Sequence, residues 1–209
     1  ITGFMEDVDL IVLPEMFSTG FTMNPKAVAE TMKGETVAWL QHLAKAKNCA
    51  ITGSLVIEEK GKFYNRLVFV FPDGEIKHYD KRHLFSLAGE DKVYNTGKDK
   101  LIVEYKGFRI CPLICYDLRF PVFSRNVENY DVLLYVANWP KIRTNAWDIL
   151  LKARAVENMS YTIGVNRIGS DNNNHEYVGH SQAVDFLGNY LLEPRSEERR
   201  VGKECSLPC

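Results

Sequence analysis

Short runs of apolar residues recur along the chain and alternate with segments whose apolar positions follow the helical repeat. Runs of about four to eight apolar residues bounded by turn residues are typical of strands that are covered on both faces. The predicted strands occupy residues 9–14, 50–57, 63–71, 75–79, 108–115, 131–138, 161–166 and 181–186. This alternation of strands and helices predicts an α/β fold.

Two segments have the apolar period of amphipathic helices. The first is residues 34–48, where one face carries Val37, Leu40, Leu43 and Ala44. The second is residues 144–158, where one face carries Ala146, Ile149, Leu150, Ala153 and Val156. Pro121 suits the first turn of a further helix, because the N–H that proline lacks would be unpaired there in any case.

The turn sequence Pro72-Asp73-Gly74 separates two predicted strands and indicates a β-hairpin. An antiparallel hairpin beside strands of the parallel, fully apolar type indicates mixed sheets. The chain has 209 residues, of which 45% are apolar, so it is long enough to bury a substantial core in one domain. We therefore expect a layered helix–sheet–sheet–helix sandwich.

Charge and hydropathy exclude several classes of partner. The chain has 26 basic and 27 acidic residues and a formal net charge of -1, and no long basic run is present. This balance argues against binding to nucleic acid or to an anionic membrane. No apolar stretch approaches the roughly 20 residues that span a bilayer, and no basic-then-apolar leader follows Ile1.

The five cysteines are a low and odd number for 209 residues, which argues against a disulfide scaffold. Cys111 and Cys115 would lie about 13 Å apart on a strand, beyond the reach of a disulfide. A reducing cytoplasm is therefore the expected compartment.

Residues 195–209 (RSEERRVGKECSLPC) differ from the rest of the chain, because they contain no aromatic residue and no apolar period. Two interpretations stay open for them. They form a solvated, frayed terminus, or they are foreign to the domain. We predict a domain over residues 1–194 and a separate tail over 195–209.

Several kinds of site have no support in the sequence. The histidines are His42, His78, His83, His175 and His180. None of them pairs at the spacing of a helical zinc site, and there is no Cys-x-x-Cys. Glycine-rich phosphate loops and the G-x-S-x-G serine motif are also missing. No metal and no cofactor are expected.

Three polar side chains stand at the ends of predicted strands. Glu15 follows the first strand, Lys81 follows the hairpin, and Cys115 ends the strand FRICPLIC. Strand ends are where α/β folds gather their active sites. A thiol with a pKa of about 8.5 needs a base or a cation to react at neutral pH, and Glu15 and Lys81 supply both. The alternative for Cys115 is a small buried hydrophobe.

These residues lie in motifs that resemble the nitrilase, or carbon-nitrogen hydrolase, superfamily. The motifs are LPEMF, YDKRHLF and ICYDLRFP, in that order. The later stretch VANWPKIRTNAWDILLKARAVENMSYTIGVNRIGSD is similar to the ω-amidase branch. The resemblance covers residues 9–194 and implies a nitrilase-like α-β-β-α sandwich. Members usually extend further at both ends, so the chain resembles a domain that is truncated at each end.

By this resemblance, Glu15 is the general base, Lys81 stabilises the oxyanion and Cys115 is the nucleophile. Glu90 matches a second glutamate of the family, with Asp91 as its nearest rival. The remaining assignments are Tyr116, whose backbone N–H joins the oxyanion hole, and Asn138 and Trp139, which face the substrate. Arg119 has two possible roles, binding of a substrate carboxylate or a structural ion pair near Asp117 or elsewhere in the helix, and the sequence favours the ion pair.

The resemblance implies cysteine-dependent hydrolysis of a small ω-amide, such as 2-oxoglutaramate or 2-oxosuccinamate, through a thioester. Two alternatives stay open: hydrolysis of an N-carbamoyl compound or nitrile, and an inactive, truncated binding module. The resemblance also implies a homodimer that forms through residues 121–129 and 144–158.

Overall fold

A computed structural model describes residues 8–196 of the chain. The helices are α1 (Glu35–Lys47), α2 (Pro121–Ser124) and α3 (Thr144–Asn158). The strands are β1 (Leu10–Val12), β2 (Ala50–Glu59), β3 (Lys62–Val70), β4 (Ile76–Asp80), β5 (Val103–Tyr105), β6 (Phe108–Ile114), β7 (Val132–Ala137), β8 (Tyr161–Asn166), β9 (Ile168–Ser170), β10 (Glu176–Val178), β11 (Gln182–Val184) and β12 (Tyr190–Leu192).

The strands form two mixed sheets and one small hairpin. The first sheet has the order β1-β2-β3-β4, with β1 and β2 parallel and the other pairs antiparallel. The second sheet has the order β12-β11-β8-β7-β6-β5, with β6, β7 and β8 mutually parallel. Strands β9 and β10 pair only with each other among the described residues. The predicted α/β class and the mixed sheets are confirmed.

The two sheets pack face to face, and one long helix covers the outer face of each. Alternation along β3 points Phe69 at Leu134 of the second sheet, while Val68 turns towards Leu40 of α1. Such alternation follows from the two-residue period of a strand. Trp147 of α3 packs in the same cluster as Tyr135 of β7. The layers are therefore helix, sheet, sheet and helix, as expected.

Some element boundaries differ from the sequence prediction. The helix that begins at Pro121 has four residues, because Arg125 leaves the helical conformation and the next turn is held by Asn126, whose side chain bonds to both the N–H and the carbonyl of Tyr130. Strands β5, β9, β10 and β12 were not predicted, because each has three residues and carries no readable pattern.

The described part of the chain contains no helix with both the length and the apolar content needed to cross a lipid bilayer. The tail at 195–209 lies outside the described residues except for Arg195 and Ser196. Its separation from the domain stays a prediction.

Candidate active site

Four of the predicted site residues lie just after a strand or at the start of a turn, and the fold brings them together. Glu15 comes after β1, Lys81 directly after β4, and Cys115 directly after β6, while Glu90 begins a short 3-10 turn. The Lys81 Nζ lies 2.8 Å from Glu15 Oε1 and 2.9 Å from Glu90 Oε2. The three charged side chains are at most 1% exposed. Residues 66 positions apart in the sequence thus form one buried ion network.

Cys115 occupies a sharp turn between a strand and a 3-10 helix (Cys115–Arg119). Its φ of 45° lies in the left-handed region, which is uncommon for a side chain other than glycine and costs about 1–3 kcal/mol. The residue is half-buried, and it lines the same cavity as Glu15 and Lys81. The Glu15 carboxylate lies close enough to the thiol to raise its pKa. The turn therefore directs a thiol at the carboxylate and ammonium of the network.

The position of Glu15 is fixed by hydrogen-bond donors from three residues, Asn138, Asn65 and Lys81. Its Oε2 accepts the backbone N–H of Asn138 at 2.9 Å, and its Oε1 accepts Asn65 Nδ2 at 2.7 Å as well as the lysine. The Asn138 side chain donates to the Glu15 carbonyl at 2.7 Å. These donors hold the carboxylate in one orientation, with few alternatives open to it.

The second acidic position is occupied by Glu90. Its Oε2 accepts the backbone N–H of Phe85 at 2.6 Å, and both of its oxygens lie within 3.1 Å of Lys81 Nζ. The side chain of Asp91, its nearest rival, is exposed. The structure therefore brings Glu90, and not Asp91, to Lys81.

The surroundings move the pKa values of these groups in different directions. Burial alone would raise the pKa of Glu15, but the charge of Lys81 and the N–H donors outweigh burial and hold it below its ordinary value. Burial and repulsion from Glu15 raise the pKa of Glu90. Burial alone would lower the pKa of Lys81, but the charges of the two carboxylates outweigh burial and raise it well above its usual range. Burial and the charge of Glu15 raise the pKa of the Cys115 thiol. The resting site thus holds a protonated thiol beside an ionised Glu15.

The remaining predicted residues line the walls of the cavity that Glu15, Lys81 and Cys115 also border. Tyr116 places its ring 5.0 Å from the ring of Phe85. Trp139 is held by its backbone N–H, which donates to Asn166, and by its indole N–H, which donates to the Arg143 carbonyl. Tyr116, Asn138 and Trp139 all border the cavity, and their contact with a substrate stays a prediction.

Arg119 does not pair with Asp117. Asp117 is fully buried and accepts from the Tyr79 hydroxyl at 2.8 Å, from the Ile114 N–H at 3.0 Å and from His83. Arg119 is exposed on the cavity wall, with its guanidinium 5.1 Å from the centre of the Trp139 ring, and no ion pair of Arg119 occurs within residues 8–196. Asp117 instead ties the turn after Cys115 to the end of β4.

Asn65 is a site residue that the sequence analysis missed. It lies on β3, is fully buried and bonds to both Glu15 and Glu90. One signal was available, because Asn65 and Arg66 interrupt the run at 63–71, whose other residues are apolar or aromatic. Within residues 8–196, no group of three or more histidine, cysteine, aspartate or glutamate side chains has the geometry to hold a metal ion.

Comparison with known proteins identifies the family to which this chain is similar. The model of the carbon-nitrogen hydrolase family matches residues 3–202. Omega-amidase YafV of Yersinia enterocolitica is 50% identical over 182 residues, which is 86% of this chain and 70% of that protein. The 2-oxoglutaramate amidase of Bacillus subtilis is 35% identical over 204 residues, which is 95% of this chain and 78% of that protein.

A solved structure agrees with both sequence comparisons. XC1258 of Xanthomonas campestris, a CN-hydrolase superfamily protein, superposes with a TM-score of 0.89 at 46% identity, and the match covers 91% of this chain and 75% of that one. The predicted resemblance to the nitrilase superfamily and its omega-amidase branch is confirmed. The chain therefore belongs to the carbon-nitrogen hydrolase family and is a hydrolase that acts on carbon–nitrogen bonds.

Proposed function

We propose that this protein hydrolyses a small ω-amide of the 2-oxoglutaramate or 2-oxosuccinamate type to the dicarboxylate and ammonia. The observation that carries the proposal is the buried network of Glu15, Lys81 and Glu90 beside the Cys115 thiol. The names of the relatives, omega-amidase and 2-oxoglutaramate amidase, support this class of substrate.

The reaction begins when the Cys115 sulfur attacks the amide carbon and Glu15 takes the thiol proton. Glu15 suits this role because its lowered pKa keeps it ionised at rest and it lies beside the thiol. The carbonyl oxygen becomes an oxyanion, which Lys81 and the backbone N–H of Tyr116 stabilise. Removal of one such donor costs about 100- to 1000-fold in rate in comparable sites. Glu90 keeps Lys81 charged and aimed at the oxyanion.

The tetrahedral intermediate then breaks its carbon–nitrogen bond. Glu15 returns its proton to the nitrogen, ammonia leaves, and a thioester joins the acyl group to Cys115. Glu15 next takes a proton from water, and the hydroxide attacks the thioester carbon. The carbon–sulfur bond breaks, the dicarboxylate leaves, and the proton returns to the thiol. No cofactor takes part in these steps.

We assign substrate recognition to the cavity wall. Arg119 is exposed there without an acidic partner among the described residues, so its guanidinium is available to the carboxylate of an oxo-acid. Asn138 and Trp139 border the same cavity, with the Trp139 ring beside Arg119. The structural ion pair that was the alternative for Arg119 has no support, because Tyr79 and His83 already occupy Asp117.

The test is ammonia release from 2-oxoglutaramate, with glutamine and a simple aliphatic nitrile in parallel. The unmodified chain, Cys115→Ala and Arg119→Met are compared. Release by the unmodified chain that disappears in Cys115→Ala is the expected result. Arg119→Met is expected to raise KM for the oxo-amide by about tenfold while it lowers kcat less, because a charge-assisted hydrogen bond is lost.

The other outcomes separate the competing functions. Acid formed from the nitrile, or turnover of an N-carbamoyl compound in place of the oxo-amide, would assign another reaction of the superfamily. A folded chain that releases no ammonia from any of these substrates, and whose Cys115 is alkylated no faster than Cys49 or Cys111, would contradict the enzyme proposal and favour an inactive binding module.

We also propose that the protein is a homodimer in a reducing compartment, the cytoplasm. Val122 is 89% exposed and Val127 72% exposed in the segment that follows the cysteine turn. Ile149 and Val156, both more than half exposed, lie on the outer face of α3 beside this segment. Cys49, Cys111 and Cys115 are free thiols, which supports the compartment.

A further inference from the structure

Asn65 is a buried amide that contacts three residues of the candidate active site. Its Nδ2 lies 2.7 Å from Glu15 Oε1 and 3.2 Å from Glu90 Oε1. Its backbone carbonyl accepts the N–H of Lys81 at 3.0 Å. Asn65 therefore touches both carboxylates and the strand end that carries the lysine between them.

Ser54 determines which way the amide of Asn65 points. The Ser54 Oγ accepts the backbone N–H of Met16 at 2.8 Å and donates its own hydrogen to Asn65 Oδ1 at 2.8 Å. The oxygen of the amide must therefore face Ser54, and both N–H hydrogens face the carboxylates. A flipped amide would place its oxygen against Glu15 and Glu90 and leave the Ser54 hydroxyl without an acceptor.

This arrangement suits a site in which two carboxylates share one cation. Like charges that are close together favour protonation of one of them, whereas neutral N–H donors stabilise the ionised form. Asn65 gives one hydrogen to each carboxylate and adds no charge of its own. The titratable groups that interact electrostatically with Glu15 are Lys81, Glu90, Cys115, Tyr94 and Tyr177.

We propose that Asn65 is a positioning residue that holds the Glu15 and Glu90 carboxylates against Lys81 and keeps Glu15 ionised, ready to accept the thiol proton. The part that concerns turnover rests on the proposed amidase reaction. The part that concerns the geometry and ionisation of Glu15 does not, because it is visible in the reactivity of the Cys115 thiol without any substrate.

Two variants of Asn65 test the proposal through the pH dependence of kcat/KM. Asn65→Ala removes both donors, and Asn65→Asp keeps the shape and the bond to Ser54 but replaces the donors with an acidic group. Loss of the donors is expected to raise the pKa of Glu15, so that kcat/KM begins to fall at a higher pH as the solution is acidified. The acid limb is expected to move up by about one pH unit in Asn65→Ala and further in Asn65→Asp.

A control distinguishes this role from a general loss of stability. Asn158 is also a buried asparagine, but its side chain bonds to Asn126 and to the Arg154 carbonyl, away from the site. Asn158→Asp is expected to lower the urea midpoint and leave the acid limb where it is in the unmodified protein. If an Asn65 variant does not fold, Ser54→Ala, which releases the amide from its anchor, is expected to move the limb in the same direction by a smaller amount.

A substrate-free measurement keeps this proposal separate from the proposed function. The rate at which iodoacetamide alkylates Cys115 is followed by peptide mass spectrometry from pH 3 to 9, a range that extends below the ordinary glutamate pKa of about 4.5, with Cys49 and Cys111 as internal references. The acid limb of the Cys115 rate is expected to move up in the Asn65 variants, even if no amide is turned over. Limbs that superpose on those of the unmodified protein, in folded Asn65→Ala and Asn65→Asp, would overturn the proposal.

Discussion

At the scale of single residues, the candidate site depends on charge compensation inside the protein. One ammonium faces two carboxylates at 2.8 and 2.9 Å, and all three groups are withdrawn from water. Removal of ions from water costs several kcal/mol for each ion unless pairing and hydrogen bonds offset it. Glu15, Lys81 and Glu90 therefore stabilise one another only as a complete set.

Lys81→Met removes the cation and leaves two buried carboxylates without compensation. We expect a loss of about 3–5 kcal/mol in the free energy of unfolding at pH 7, measured by urea denaturation. Lys77→Met is the matched control, because Lys77 is a half-buried lysine on β4, the strand that precedes Lys81, and its ion pair with Glu75 is weak at 3.9 Å. Equal urea midpoints for the two variants would contradict the compensation argument.

The pH dependence of this loss has a definite sign. The pKa of Glu15 is lowered in the folded protein, so its ionisation adds stability above its unfolded pKa of about 4.5, and this stability is lost as the pH falls through the lower folded value. In Lys81→Met the main source of that lowering is gone. The difference in stability between the unmodified protein and Lys81→Met is therefore expected to be largest near pH 7 and to shrink towards pH 4.

At the scale of elements, the site depends on where strands end. The loop that contains Glu90 returns to the end of β4 through Gly97, whose N–H donates to the Lys81 carbonyl at 2.9 Å. A Cβ at position 97 would lie 2.0 Å from the Asp80 carbonyl oxygen, a distance that backbone atoms cannot accept. Glycine is required here because the loop crosses directly over the backbone that precedes Lys81.

Gly97→Ala is expected to displace the end of β4 and with it the lysine. The overpacking should cost about 1–3 kcal/mol in the free energy of unfolding, and kcat/KM for the oxo-amide should fall by about 100-fold, as for a misplaced catalytic group. Gly61→Ala is the control, because its Cβ would meet no atom within 4 Å, although its positive φ costs about 1 kcal/mol. Similar kcat/KM values in the two variants would show that the loop does not position Lys81.

At the scale of the whole molecule, the outer face of helix α3 leaves two apolar side chains exposed. On α3, Ile149 and Val156 stand seven residues apart on one face and are 56% and 51% exposed. The segment with Val122 and Val127 lies beside this face, tied to α3 by the Arg125 side chain, which donates to the Glu157 carbonyl. Neighbouring exposed apolar side chains of this kind are typical of a surface that a second subunit covers.

The dimer predicts a defined change in molecular mass. Ile149→Glu combined with Val156→Glu is expected to convert a dimer into a monomer of 23.9 kDa in light scattering coupled to size exclusion. Trp39→Glu on α1, the helix on the opposite side of the sandwich, changes a 40% exposed apolar residue and should leave the dimer intact. A monomeric unmodified protein would refute the proposed dimer outright.

The fold could be predicted from the sequence in its main lines but not at its edges. Strand β7 is apolar throughout, and β2 is apolar at most of its positions as far as Ile57, so the composition of both strands predicts burial on both faces. Strand β12 has three half-buried residues and exists because β11 pairs with it. Helix α2 ends early because of a neighbouring contact that its own residues do not reveal. A turn held by hydrogen bonds between Asn126 and Tyr130 replaces the continuation of the helix.

The sequence by itself determined which chemical groups are present and that Glu15, Lys81 and Cys115 stand at strand ends, because both properties are local. Only the tertiary structure decided that Glu90 and not Asp91 meets Lys81, and that Asn65 and Asn138 hold Glu15. These partners are separated from Glu15 by 50 and 123 positions along the chain. Hydrogen bonds and ion pairs act over about 3 Å, so their partners are set by the packing of the two sheets and cannot be read from residue order.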